Sequence, residues 1–169
     1  AEPWFPCVAG DWISLPDDQF GQVDSVSPDF VEVVIDHSVR AFPTADFLSM
    51  APANLSGGFR HVVRVTFDYM HQPEITTSIP HRLRDALDEG LEVKGGDGLV
   101  SLVVEYEAAQ ANSLDVRIDA QYTGDRAPDW RVLRRVIEGL VVDACNTHGW
   151  EIALPQLVVH RPPGAASSD

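Results

Sequence analysis

Residues 114–122, Leu-Asp-Val-Arg-Ile-Asp-Ala-Gln-Tyr, carry the clearest structural pattern in the chain. Apolar and polar side chains alternate through the whole segment, which predicts a β-strand with one face buried in a core. Residues 100–106 alternate in the same way, and the turn-forming pair Asn112-Ser113 precedes the clearer strand, so the two segments predict a hairpin. The charged members of the clearer strand predict a solvated sheet face: Asp115, Arg117 and Asp119.

A helix is predicted on each side of this hairpin. The first begins at Ser78-Ile79-Pro80, where serine suits the N-cap and proline the first turn, and Gly90 is predicted to end it. The second places Pro128 in its first turn and Gly149 at its C-cap. Each segment has an apolar stripe at helical spacing, which is typical of a helix with one side in a core.

Two more strands complete this part of the chain. Residues 62–69 alternate, with Tyr69 on the apolar face, and residues 157–160 form an apolar run after Pro155. The resulting order is strand, helix, strand, strand, helix, strand. This is the βαββαβ arrangement of a ferredoxin-like sandwich.

The first third of the chain has a different pattern of short apolar runs separated by turn residues. Five strands are predicted, at residues 11–15, 20–26, 30–36, 39–42 and 53–55. Strands this short and closely spaced favour a tightly wound barrel, because they curl to hide their edges.

The break at Ser56-Gly57-Gly58 separates the two patterns. The predicted fold class is α+β, with a small Sm-like five-stranded β-barrel domain followed by a ferredoxin-like βαββαβ domain. The predicted domains are residues 1–57 and residues 58–161. Residues 162–169 are predicted to be a disordered tail because they are small, polar and proline-rich.

Charge is the strongest compositional signal. The 169 residues include 12 Lys and Arg against 26 Asp and Glu, for a formal net charge of -14. This charge repels phosphate backbones, so nucleic acid is not an expected partner. No stretch approaches the roughly 20 apolar residues of a membrane-spanning helix.

Residue usage gives two further indications. Cys7 and Cys145 lie at opposite ends of the chain without C-x-x-C spacing, which favours a reducing compartment over a zinc or redox site. Lys94 is the only lysine, and aspartate outnumbers glutamate. A salt-rich cytoplasm and a high-GC genome each produce such a bias, so both sources stay open.

A search for catalytic and metal-binding motifs finds no candidate. The chain has no G-x-S-x-G elbow, P-loop, G-x-G-x-x-G or H-E-x-x-H motif. Residues 95–98, Gly-Gly-Asp-Gly, follow a helix and precede a strand, so they predict a turn rather than a phosphate loop. His61, His71 and His81 fall on a predicted strand, a loop and a helix, which does not favour a shared metal.

Arginines cluster near the start of the last predicted helix. Arg131, Arg134 and Arg135 lie within about a turn of Glu138. We interpret this group as a solvent-facing ion-pair network rather than a phosphate site, because opposite charges three and four residues apart pair on a helix surface.

Four segments carry motifs beyond these patterns. Residues 6–13, Pro-Cys-Val-Ala-Gly-Asp-Trp-Ile, resemble "P-F-x-x-G-D-x-I", and residues 21–26, Gly-Gln-Val-Asp-Ser-Val, resemble "G-x-V-x-x-I". Residues 41–48 and 54–56 look like "V-I-P-N-x-x-x-x" leading to "N-x-S". Residues 149–160, Gly-Trp-Glu-Ile-Ala-Leu-Pro-Gln-Leu-Val-Val-His, closely resemble "G-I-E-I-P-F-P-Q-x-x-V-H". In this order, the motifs are similar to those of the soluble cytoplasmic part of the small-conductance mechanosensitive channels.

The residues that match the family motifs are candidate structural positions: Gly10, Asp11, Gly21, Val23, Pro43, Asn54, Pro155 and Gln156. Two departures are visible. Thr44 stands where the family usually has asparagine, and Asp36-His37 replaces the frequent Asp-Gly turn.

The resemblance implies that this chain is the cytoplasmic vestibule, or cage, of such a channel. In the family, seven subunits form a hollow vestibule whose wall openings pass ions and small solutes to a pore opened by tension during osmotic downshock. The implied protein is a homo-oligomer, heptameric at full length, at the cytoplasmic face of the inner membrane, with its pore helices preceding this segment. It is not an enzyme, and no cofactor or metal is implied.

Alternatives from other classes stay open. An Sm-like ring can bind RNA through basic and aromatic loops, but Arg40 is the only Lys or Arg in residues 11–56. A free-standing soluble oligomeric assembly or ligand-sensing module could use the same fold. An enzyme is disfavoured because no acid, base and nucleophile converge.

The acidity itself has two interpretations. An acidic vestibule would concentrate cations and repel anions before they reach a pore. Salt adaptation gives the same net charge without any filter.

Overall fold

The computed structural model describes residues 4–152, which form a mixed α/β structure with two antiparallel sheets. The first part, here called the β unit, contains five strands and one short helix. They are β1 (Trp12–Leu15), β2 (Gln19–Val26), β3 (Phe30–Ile35), β4 (Ser38–Pro43), α1 (Thr44–Ser49) and β5 (Ala53–Asn54). All five predicted strands of this part are confirmed.

The sheet of the β unit has the strand order β4-β3-β2-β1-β5, so β4 and β5 are its two edges. Its apolar side chains alternate inward and form one core, to which the helix α1 adds Phe47. The sequence did not predict α1. The helix has six residues and buries only Phe47, so its sequence shows no apolar stripe at helical spacing.

The second part, here called the α/β unit, contains a three-stranded sheet and two long helices. They are β6 (Phe59–Phe67), α2 (Ser78–Lys94), β7 (Leu99–Ala109), β8 (Leu114–Tyr122) and α3 (Trp130–His148). The strand order is β6-β8-β7, with the predicted hairpin formed by β7 and β8. The predicted strand at residues 157–160 lies outside the described residues.

The alternation in residues 114–122 is confirmed by burial. Its apolar members are all buried: Leu114, Val116, Ile118, Ala120 and Tyr122. Both helices pack their apolar stripes against this sheet, and Gly149 is the C-cap of α3 as predicted, in the left-handed conformation with φ of 67°.

Four local predictions were wrong. The strand β6 ends at Phe67, and Tyr69 opens a 3₁₀ turn with 38% of its surface exposed. Pro128 lies in a 3₁₀ turn, Gly124–Asp129, so α3 begins only at Trp130. The N-cap of α2 is Thr77 rather than Ser78, and the Ser78 hydroxyl has no hydrogen-bond partner among the described residues.

The fourth concerns Gly90, which was predicted to end α2 but does not. The helix continues for another turn to Lys94, and a Cβ at Gly90 would overlap the side chain of Leu140 on α3. The glycine therefore serves the close approach of the two helices rather than a cap.

Candidate functional site

Four of the motif residues meet in one place in the β unit. We call Gly10, Asp11, Val23 and Asn54 the clasp. The Gly10 amide donates to the Val23 carbonyl at 2.8 Å, and the Val23 amide donates to the Asp11 carbonyl at 2.8 Å. These bonds fix the segment before β1 against β2.

Side chains complete the clasp. The Asp11 carboxylate accepts from the Val8 amide and from Asn54 Nδ2, each at 2.9 Å. Asn54 Nδ2 also donates to the Pro6 carbonyl at 3.1 Å. Because Asn54 lies 43 residues after Asp11, the contact ties the start of the β unit to its last strand.

Two glycines of the motifs have separate steric reasons. Gly10 has φ of +95°, a conformation that side chains strain. A Cβ at Gly21 would overlap the Val34 carbonyl oxygen on the neighbouring strand β3. Pro43 ends β4 and directly precedes α1, while Pro155 and Gln156 lie outside the described residues.

The contact between the two units is a second candidate site, here called the seam. Its centre is a line of rings in which Trp12 stacks on Phe20 and Phe20 stacks on Trp130, with centroids 5.1 and 5.5 Å apart. The ring of His61 follows at 5.5 Å from Trp130. The line therefore runs from the first strand of the β unit into the core of the α/β unit.

Charged groups from both units surround the rings. Arg131 Nη1 lies 3.2 Å from Asp36 Oδ1, and Arg131 Nη2 donates to the Asp18 carbonyl at 2.7 Å. Arg134 Nη1 lies 3.6 Å from Asp18 Oδ1, and its Nε donates to Glu138 at 3.1 Å. The Arg131 guanidinium also sits over the Phe20 ring, 5.7 Å from its centroid.

The predicted role of the arginine cluster was only partly right. Arg134 and Glu138 form the expected pair within the helix, but Arg131 and Arg134 also reach across to the β unit. Two features of the sequence are compatible with this contact. The turns at residues 16–18 and 36–38 are acidic, and arginines crowd the start of a helix.

His61 is the one buried titratable side chain of the seam, with 4% of its surface exposed. Its Nε2 donates to the Trp130 carbonyl at 2.8 Å. Burial lowers the pKa of His61, and the nearby Arg134 cation acts in the same direction. The hydrogen bond to Trp130 and the Glu138 carboxylate oppose that shift.

Neither cysteine is placed for thiol chemistry. Cys7 and Cys145 are both buried and free, one in each core. Burial, with a smaller contribution from Asp11, raises the pKa of the Cys7 thiol to about 11, and burial also raises the pKa of Cys145. Thiols in this state are poor nucleophiles.

The remaining candidate groups do not converge. His71 accepts a hydrogen bond from the Glu151 amide, whereas His81 faces Asp85 on the surface of α2. Within residues 4–152, no three His, Cys, Asp or Glu side chains gather in a way that could hold a metal ion. Residues 95–98 form the predicted turn between α2 and β7.

None of the helices between residues 4 and 152 combines the length and apolar character needed to traverse a bilayer.

No protein-family model and no curated protein sequence matches the chain, but solved structures match its fold. MscS of Helicobacter pylori, in a closed-state crystal structure, superposes with a TM-score of 0.61 at 14% identity, covering 96% of this chain and 62% of that one. MSL1 of Arabidopsis thaliana, in a cryo-EM structure of the wild type, gives a TM-score of 0.57 at 12% identity, covering 88% and 52%. This chain therefore spans less than two thirds of either structure. The resemblance inferred from the motifs is confirmed at the level of the fold, which is that of small-conductance mechanosensitive channel structures.

Proposed function

We propose that this chain is the cytoplasmic vestibule of a small-conductance mechanosensitive channel. It would pass and filter ions and small solutes below a membrane pore opened by tension during osmotic downshock. The observation that carries the proposal is the likeness to the MscS structure over 96% of the chain. It is supported by the motif residues of the clasp, which sit far apart in sequence yet meet in the β unit.

In this proposal the β unit is the Sm-like domain, residues 1–57, and the α/β unit is the ferredoxin-like domain, residues 58–161. The strand order β6-β8-β7 is that of the first three strands of a split βαβ sandwich. An isolated bridge between Phe67 and Ile152 lies on the other side of β6 from β8, where the fourth strand of such a sandwich would pair.

The proposal includes assembly into a homo-oligomeric ring, a heptamer in the full-length protein. Among residues 4–152, β4 and β5 have no strand paired to their outer sides, so both edges of the first sheet are open there. Strand edges of this kind attract another strand, and a neighbouring subunit can supply it. Val39 on β4 is 61% exposed, so a contact there would also cover apolar surface.

Attachment to the cytoplasmic face of the inner membrane would come from helices preceding this segment. No covalent step, cofactor or metal belongs to the proposed function. The wall of the vestibule would act through size and charge, and the net charge of -14 per copy would favour cations over anions.

The reading frame upstream of the Ala1 codon tests the membrane part of this proposal. We expect one or more apolar stretches of about 20 residues leading into this segment. A start codon at or near Ala1 with no such stretch would contradict the channel and leave a soluble module.

Charge selectivity is tested separately in the full-length channel. Asp24, Asp29 and Asp46 of the β unit are all exposed. Neutralising these acids should move the reversal potential under a salt gradient toward the equilibrium potential of the anion. Unchanged selectivity in this variant would end the filter hypothesis and leave salt adaptation.

A free-standing ligand-sensing module is the alternative. A groove of about 570 Å³ between α2 and α3, bounded by Arg82, Glu89, Leu140 and His148, favours it. Screening small metabolites for a rise in the Tm of the protein tests the ligand-sensing hypothesis. A ligand that stabilises the wild type but not Leu140→Arg would favour the module.

A further inference from the structure

Two tight turns of the β unit reach the same helix of the α/β unit. Asp17 and Asp18 form the turn between β1 and β2, with φ of 61° and 57°. Asp36 and His37 form the turn between β3 and β4, with φ of 49° and 63°. Turns with two positive φ angles join antiparallel strands well, and they favour glycine, asparagine or aspartate at these positions.

The aspartates at these positions contribute carboxylates that glycine would lack. The carboxylate of Asp36 pairs with Arg131 and that of Asp18 pairs with Arg134, while the Asp18 backbone carbonyl also accepts a hydrogen bond from Arg131. The other residue of each turn, Asp17 or His37, makes no contact of this kind among the described residues. One side chain per turn therefore faces the seam.

The two kinds of contact in the seam respond differently to salt. Asp18 and Asp36 keep 68% and 67% of their side-chain surface exposed, so water and ions reach both pairs. Exposed ion pairs are weak and screened, since the Debye length falls from about 10 Å at 0.1 M salt to about 3 Å at 1 M. The stack of Trp12, Phe20 and Trp130 is apolar, and added salt does not weaken it.

We propose that the turns carrying Asp18 and Asp36 form a salt-sensitive latch on Arg131 and Arg134, which closes the seam at low ionic strength and releases it at high ionic strength. The ring stack keeps the two units in register, while the latch sets how tightly the turns hold the start of α3. The proposal stands on the geometry of the seam alone. A role for the latch in gating would rest on the proposed channel function, but the latch itself does not.

Hydrogen exchange followed by mass spectrometry tests the latch in the whole chain. Peptides covering the first two turns of α3 report on the seam, and peptides from β8 report on the core. Between about 50 mM and about 1 M NaCl, exchange at the seam should rise by about three- to tenfold relative to β8, as expected for losing two weak ion pairs.

Matched glycine variants separate the carboxylates from the turns. Asp18→Gly with Asp36→Gly removes both seam carboxylates and keeps the positive φ of both positions accessible. Asp17→Gly with His37→Gly makes the same number of changes in the same two turns and leaves the latch intact. We expect fast, salt-independent exchange at the seam in the first variant and the wild-type salt response in the second.

Three results would overturn the latch. They are a wild type with no salt response at the seam beyond that of β8, a full response retained without Asp18 and Asp36, and loss of the response in the Asp17 and His37 control.

Discussion

The two sheets of this molecule balance their charges in different ways. In the α/β unit, charges on the open face of the sheet find partners on other strands of the same sheet, as in the pairs Arg60–Asp119 at 3.0 Å and Arg64–Glu107 at 2.7 Å. In the β unit, Arg40 is the only Lys or Arg, so most of its acids have no local counterpart.

This difference explains why the seam lies where it does. The α/β unit places arginines at the start of α3, and the β unit presents two acidic turns to them. The β unit therefore finds across the seam some of the opposite charges that the α/β unit has within its own sheet.

Removing the central ring of the seam should have the largest effect. Trp130→Ala deletes the ring between Phe20 and His61, and losing a large packed aromatic costs about 3 kcal/mol. Urea unfolding measures the change in the free energy of unfolding. Val132→Ala, on the same helix and 56% exposed, should change stability by less than about 0.5 kcal/mol. Equal effects of the two variants would mean that the ring stack does not couple the units.

The stability of the α/β unit depends on the close contact between α2 and α3. Gly90→Ala should destabilise by about 1–2 kcal/mol, because the added Cβ displaces the Leu140 side chain and this cost outweighs the gain in helix propensity. Gly139→Ala, in α3 with open space around it, should instead stabilise by about 0.5–1 kcal/mol through helix propensity. Thermal unfolding of both variants checks the signs. A stabilising Gly90→Ala would show that the helices do not need the glycine.

His61 should make stability depend on pH. Its pKa is lower in the folded chain than in the unfolded one, so the unfolded state binds more protons as pH falls below about 6.5. The contribution of His61 to stability is then constant above that pH and decreases below it, by at most about 1.4 kcal/mol per pH unit. Urea unfolding between pH 5 and 8 measures the slope, which His61→Gln should flatten. The same slope in both proteins would assign it to other groups.

Breaking the clasp in the β unit should give the smallest of these changes in stability. Asp11→Ala removes the acceptor of the Val8 amide and of Asn54 Nδ2, which we expect to cost about 1 kcal/mol at this partly exposed site. Asp24→Ala, an exposed acid of β2 without such contacts among the described residues, is the control. If both acids cost the same, net charge and not the clasp would account for the loss.

Much of the fold followed from alternation and turn chemistry. The strand at residues 114–122 was predicted correctly because its period of two fixes which side chains are buried. Gly90 was misread as a cap because a glycine for helix contact and a glycine for helix ending look alike until the partner, Leu140, is known. Tyr69 was placed on a strand because alternation continues past the point where pairing with β8 stops, at Phe67.

The two candidate sites were predictable to different degrees. The clasp residues were named because each matches a family motif, although their mutual contacts depend on pairing between strands distant in sequence. The seam was missed because it joins turns and a helix separated by 95 residues in the case of Asp36 and Arg131. Local patterns do not specify which surfaces of two units meet.

Patch recording from the full reading frame, expressed in a bacterial strain without its own mechanosensitive channels, tests the central claim most directly. We predict currents that open with membrane tension and an ion selectivity that changes when acids of this segment are neutralised. A protein that inserts in the membrane but gives no tension-dependent current, or a reading frame without membrane segments, would contradict the account.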